Sequence, residues 1–173
     1  MTSRRTIGFI AAAATAALAA LSLAACGGGN DTATAANRPP TADGKPATLG
    51  VANNSTLGRI LVDSKGRTLY LFAKDSGTKS ACAGACAASW PPLRDSHKPL
   101  VGSGASASKV TTAPRSDGAP QVVYNGHPLY LFSGDRNPGD TNGQGVTAFG
   151  AAWYAVSPAG NRVTGSASTG GGY

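Results

Sequence analysis

The chain has 173 residues, with 15 Lys and Arg against 8 acidic residues and a formal charge of +7. All the acids are Asp, Met occurs only at position 1, and 24 Gly with 11 Pro argue against long helices and for a turn-rich β domain. The cations are scattered, which argues against a nucleic-acid-binding face, and no P-loop, dinucleotide fingerprint, His-Glu-x-x-His run or Ser/His/Asp order names an enzyme.

In chain order, residues 1–25 read as an export signal: Arg4 and Arg5 precede an apolar run from Ile7 to Ala25. Its end, Leu23-Ala24-Ala25-Cys26, resembles the bacterial lipobox. The resemblance implies diacylglycerol on the Cys26 thiol and cleavage ahead of it, which takes 15 basic residues to 13 and the net charge to +5. An uncleaved membrane helix is the alternative, but the run is short and mostly Ala, which partitions weakly into lipid. Two acyl chains such as palmitate would anchor the chain by on the order of 20 kcal/mol, so no protein–lipid contact is required. Ser3-Arg4-Arg5-Thr6-Ile7 also resembles a twin-arginine start, without the usual Phe. Residues 26–47 carry no periodic apolar pattern and are expected to be a flexible tether. Residues 165–173 read as a disordered Gly/Ser tail, which leaves residues 48–164 for one β-rich domain.

An internal repeat organises that domain. Gly66-Arg67-Thr68-Leu69-Tyr70-Leu71-Phe72-Ala73-Lys74-Asp75 matches Gly126-His127-Pro128-Leu129-Tyr130-Leu131-Phe132-Ser133-Gly134-Asp135 at six of ten positions, 60 residues apart. Each copy follows an apolar run, Arg59–Asp63 and Gln121–Tyr124, across Ser64-Lys65-Gly66 and Asn125-Gly126. Asn-Gly between β-rich runs is a strong hairpin signal, so each copy is expected to be a β-hairpin. Alternation puts Leu69 and Leu71 on one face and Tyr70 and Phe72 on the other, and two apolar faces imply a central strand. Ala152–Val156, Ser157–Asn161 and Arg162–Thr164 predict a C-terminal hairpin. Trp90 and Trp153 follow Tyr70 and Tyr130 at spacings of 20 and 23 residues, as equivalent core anchors would. The fold class is therefore all-β: one domain of two related hairpins plus a third, with a short closed loop or helical turn near Cys82 and Cys86.

The pattern resembles the family of bacterial "secreted repeat" lipoproteins, marked by a Tyr-x-aromatic-x-x-Asp motif. That motif occurs twice here, as Tyr70-Leu71-Phe72-Ala73-Lys74-Asp75 and Tyr130-Leu131-Phe132-Ser133-Gly134-Asp135. Cys82–Cys86, Trp90-Pro91-Pro92-Leu93, Tyr124-Asn125-Gly126, Pro138-Gly139-Asp140 and Gly143-Gln144-Gly145 are similar to the family as well. The resemblance covers about Leu49 to Pro158 and implies no mechanism, because the family's activity is unassigned.

Each candidate chemistry has a plainer reading beside it. With Cys26 lipidated, Cys82 and Cys86 remain as an even pair in an oxidising setting, expected to form a structural disulfide. The alternative is a redox dithiol or a copper site with distant His127; soft Cu(I) favours thiolate and thioether, and the mature chain has no Met. Covalent haem is excluded by the spacing and by Ala87. Asp75 and Asp135 invite a paired-carboxylate hydrolase, but each ends a strand before a Gly-containing loop, where Asp ordinarily shapes a turn. Asp135, Asn137, Asp140 and Asn142 offer oxygens to Ca²⁺ without EF-hand spacing or a bidentate Glu. The tyrosines, phenylalanines and tryptophans could stack a sugar or peptide; alternating strand aromatics are more often core. His127, after a hairpin Gly, reads as a solvated turn residue.

The expectation is a lipid-anchored, extracytoplasmic envelope module of unassigned ligand, binding or scaffolding without catalysis. It needs no cofactor beyond the diacylglycerol at Cys26, has the membrane and an unknown envelope partner as contacts, and binds no nucleic acid. The alternative is redox or copper handling by Cys82 and Cys86.

Overall fold

The computed structural model describes residues 46–165; the expected export signal, Cys26, the expected tether up to residue 45 and the expected tail from residue 166 lie outside them. The elements run β1 (Thr48–Asn54), β2 (Gly58–Asp63), β3 (Tyr70–Phe72), α1 (Ala85–Ser89), β4 (Leu100–Val101), a 3-10 turn (Ala107–Lys109), β5 (Val110–Arg115), β6 (Gly118–Tyr124), β7 (His127–Pro128), β8 (Thr147–Ala148) and β9 (Ala151–Ala155). They make three small sheets, ordered β2-β1-β4, β3-β9-β8 and β5-β6-β7. Among the described residues, no helix is long and apolar enough to cross a membrane.

Both expected hairpins are present but short, held by the Val62–Thr68 bridge in the first and by the β6–β7 pair in the second, and each is extended by a strand the sequence did not announce. In the first half β1 pairs antiparallel with β2, Leu49 opposite Asp63 and Asn54 opposite Gly58. The chain then turns at Gly66 (φ +74°), where the Asp63 carboxylate accepts the Lys65 and Arg67 N–H groups at 2.9 Å each. In the second half β5 pairs with β6, and β6 with β7. Asn125 and Gly126, at φ +50° and +83°, form the tight turn their identities predict. The β5–β6 register shifts between Ala113 and Arg115; Pro114, with no N–H to give the ladder, sits at that irregularity. The expected C-terminal hairpin has one full arm, β9. Its return arm is reduced to a Val156–Arg162 bridge and a Val163 N–H donated to Ala155 O at 2.8 Å.

The halves join at the motif tyrosines. Tyr70 and Tyr130 exchange both backbone N–H···O bonds at 2.9 Å, an antiparallel bridge about an approximate twofold relation. The segments after the tryptophans then cross over. Leu93 belongs to the first half, yet its N–H goes to Leu129 O and its carbonyl accepts from Val122. Val156 belongs to the second half, yet its N–H goes to Leu69 O and its carbonyl accepts from Leu61. β9 likewise lies beside β3, Leu71 opposite Tyr154 and Phe72 opposite Trp153. Each half thus completes its sheet with a segment of the other.

β3 lies at the edge of its sheet, with β9 on one side and only the Tyr70–Tyr130 bridge on the other, yet both its faces are buried. Leu69 and Leu71 enter a cluster with Leu49, Leu61, Leu129, Leu131 and Val156, while Tyr70 and Phe72 enter an aromatic cluster with Trp90, Tyr130 and Trp153. The period-two assignment of those four side chains is therefore what the fold realises. Burying each such side chain stabilises the chain by about 1.5–3 kcal/mol.

Candidate functional site

The aromatic cluster is a column. Phe72 lies flat on Trp153 with centroids 4.0 Å apart, Trp153 on Trp90 at 4.0 Å, and Trp90 on Phe132 at 4.2 Å. Each phenylalanine covers the tryptophan of the opposite half. Tyr70 meets Trp90 edge-on at 5.4 Å and Tyr130 meets Trp153 edge-on at 5.1 Å. Parallel and edge-on contacts of this kind are worth about 0.5–1.5 kcal/mol each beyond the area they bury.

The polar ends of the tyrosines also cross between halves. The Tyr70 hydroxyl donates to Asp135 Oδ2 at 2.6 Å, and the Tyr130 hydroxyl donates to Asp75 Oδ2 at 2.8 Å. Each carboxylate accepts an N–H from its own loop on the other oxygen: Ala81 for Asp75 at 2.7 Å and Asn142 for Asp135 at 2.9 Å. Each Asp therefore fixes its own loop and ties that loop to the opposite half. Both tyrosine side chains are fully buried, and burial first, then the facing carboxylate, holds their hydroxyl protons well above the ordinary range. Burial likewise raises both Asp carboxyls, opposed by the hydrogen bonds they accept.

Around Tyr130 the network extends through residues that the repeat did not single out. Its hydroxyl lies 2.7 Å from Ser80 Oγ, which also accepts from the Arg115 guanidinium at 2.7 Å. Arg115 donates further to Cys82 O, Gln121 Oε1 and both carboxylate oxygens of Asp117. The Arg115 hydrogen bond is the main cause that holds Asp117 down at about 2. On the Tyr70 side, the Gly143 N–H takes the corresponding place, donating to the Tyr70 hydroxyl at 3.3 Å. Among the described residues, no buried side-chain nitrogen or oxygen lacks a partner.

Cys82 and Cys86 are joined as a disulfide beside α1, and both are buried, at 1% and 5% exposure. In that state they offer no thiolate to a metal. α1 is only five residues long, yet it delivers Trp90 to the column, the Trp90 N–H donating to Cys86 O at 2.7 Å. The oxygen-rich loop is occupied by its own backbone: Asp140 accepts the Arg136 and Asn137 N–H groups, and Asp135 accepts that of Asn142. Among the described residues, no group of three or more His, Cys, Asp or Glu is placed to hold a metal. His127 differs from its expected turn position. It is half-buried on β7, paired with Tyr124, because the tight turn ends at Gly126. There it lines a cavity of about 440 Å³ with Leu71, Phe72, Ala73, Asp75, Asn161 and Arg162.

Residues 51–94 and 111–157 each match the family described as "Secreted repeat of unknown function", together more than half of the chain. Each match runs from the first hairpin of its half through the tryptophan. No curated protein and no solved structure matches the chain.

Proposed function

Because the chain belongs to the family of secreted repeats of unknown function, we propose that it is a lipid-anchored module of the bacterial cell envelope that binds or scaffolds a partner at the membrane surface without catalysing a reaction. The observation that carries this reading is the reciprocal Tyr–Asp bonding. The repeated residues spend their polar atoms on one another, Tyr70 on Asp135 and Tyr130 on Asp75, so the motif is accounted for by assembly of the domain. The Leu-Ala-Ala-Cys run supports an anchor at Cys26, and a tether of about twenty residues would let the domain sample the space above the bilayer.

Labelling cells with radioactive palmitate and separating membranes tests the anchor. The chain should carry label and sediment with membranes, and Cys26→Ser should lose both; an unlabelled, soluble wild-type chain would end the anchored reading. Redox or copper handling by Cys82 and Cys86 has less support, since both sulfurs are buried in a disulfide. Thiol titration with copper binding separates the two readings. No free thiol under mild reductant and no stoichiometric copper is expected, whereas a readily reduced pair holding one copper would replace the binding module by the redox protein.

A further inference from the structure

The repeat places two matching corners in the molecule, where a hairpin turn meets the loop that follows the opposite motif. One corner is closed. Pro138 Cβ stands 3.1 Å from where a Gly66 side chain would begin, the Gly139 N–H donates to Gly66 O at 3.0 Å, and the Thr68 hydroxyl donates to Asp140 O at 2.6 Å. Arg67 there spends its guanidinium on Asp63 at 2.6–2.8 Å.

At the other corner every one of these closures is missing. Pro128 replaces Thr68 and has no hydroxyl, and His127 replaces Arg67. Ser76 and Lys79 bond one another, and among the described residues no hydrogen bond joins residues 76–80 to residues 125–128. The cavity of about 440 Å³ opens beside this corner, between His127, the end of β3 with Asp75, and the Asn161–Arg162 segment, and is within the range of small-molecule sites. Three donor side chains line it: the His127 imidazole, the Asn161 amide and the Arg162 guanidinium. Among the described residues none of the three makes a side-chain hydrogen bond; Arg162 only lies 5.3 Å over the Tyr154 ring. The one carboxylate, Asp75, already serves the Ala81 N–H and the Tyr130 hydroxyl. The end of β3 at Leu71 and Phe72, almost wholly buried, and the exposed Ala73 after it complete the lining.

We propose that this open corner binds a small organic anion, a carboxylate with an apolar body, its oxygens meeting Arg162, His127 and Asn161 and its body lying along the end of β3 at Ala73. The site gives the binding reading above its ligand class and rests on that reading. Duplication supplied two corners; one was sealed by its loop and the other kept open with unspent donors.

The histidines make the test clean, because the chain has two, His127 at the site and His97 away from it. Sodium benzoate is titrated into the ¹⁵N-labelled full chain and the imidazole resonances followed by NMR. The His127 signals should move saturably while those of His97 stay, and benzamide, without the charge, should bind about tenfold more weakly, the scale of one charge-assisted hydrogen bond. Inorganic phosphate, without the apolar body, should also be weaker. Arg162→Ala should weaken benzoate by about tenfold and leave the near-ultraviolet circular dichroism of the buried tryptophans unchanged. Equal movement of both histidines, no saturation, benzamide or phosphate as tight as benzoate, or a correctly folded Arg162→Ala that binds normally would each overturn the site. Palmitate labelling is read separately, so a failed titration removes this ligand class while leaving the anchored envelope reading standing on its own result.

Discussion

The Tyr70 hydroxyl meets a carboxylate that burial has already made reluctant to ionise, and the pH dependence of stability follows from that contact. Asp135 has its folded-state proton affinity raised above the ordinary 3.8, first by burial, while the Tyr70 hydrogen bond pulls it back. A group raised in this way contributes stability below its unfolded value and loses it as pH climbs through the folded one. Removing the hydroxyl enlarges that loss. Tyr70→Phe is therefore expected to cost about 1–3 kcal/mol in denaturant unfolding at about pH 7, and clearly less at about pH 3, where the carboxyl is protonated in both states. Asp117 runs the other way: held at about 2, its contribution is present above 3.8 and fades as pH falls toward 2. It is common to both proteins and cancels in the comparison. A second expectation concerns Gly143. A Cβ there would come within 2.8 Å of the Trp90 ring and 2.9 Å of Tyr70, so Gly143→Ala should destabilise by about 1–3 kcal/mol and alter the near-ultraviolet spectrum of the column. The sequence marked Tyr70, Tyr130, Asp75 and Asp135 as equivalent, but a period reports equivalence and not contact. It could not say that each tyrosine reaches the other copy's aspartate. Ser80 and Arg115 carried no signal at all, because their partners are set by a meeting of loops far apart in the chain.

Among the elements, α1 is the one that could not stand alone. Five residues are far short of the length at which a helix holds itself in water, so its geometry leans on the Cys82–Cys86 link and on Trp90 docking. Replacing both cysteines by Ala is expected to cost about 2 kcal/mol in unfolding free energy, with some loss of the tryptophan near-ultraviolet signal. Full stability of that variant would show the link to be dispensable. The strands divide instructively. β3 and the turns at Gly66 and Asn125-Gly126 were legible because local chemistry, alternation and left-handed turn residues, decides them. β1 and β5 were not. Thr48–Asn54 has only Leu49 and Val51 in alternation, and Val110–Arg115 carries Thr111, Thr112 and Pro114. These strands are fixed by a neighbour's ladder, through a register that runs from Leu49 to Asn54 in one case and bends around Pro114 in the other. Context outweighs intrinsic strand preference in such positions. His127 shows the same limit: its neighbours in sequence suggested a turn, and pairing with Tyr124 made it strand.

For the whole molecule, the crossing of Leu93 and Val156 means that neither half closes a core by itself. Cutting the chain between Lys109 and Val110 should give two fragments that are each unstructured in far-ultraviolet circular dichroism and regain β signal and buried tryptophan fluorescence when mixed. A fragment that folds alone would contradict the interleaved architecture. The intact chain should unfold in a single transition, since loss of either half removes strands from the other. A solitary repeat, lacking the segment that fills its own sheet, would have had to borrow that piece from a sister molecule. Carrying both copies on one polypeptide makes that partnership independent of concentration, and lets the two copies differ at their surfaces while the joint interior keeps both in place.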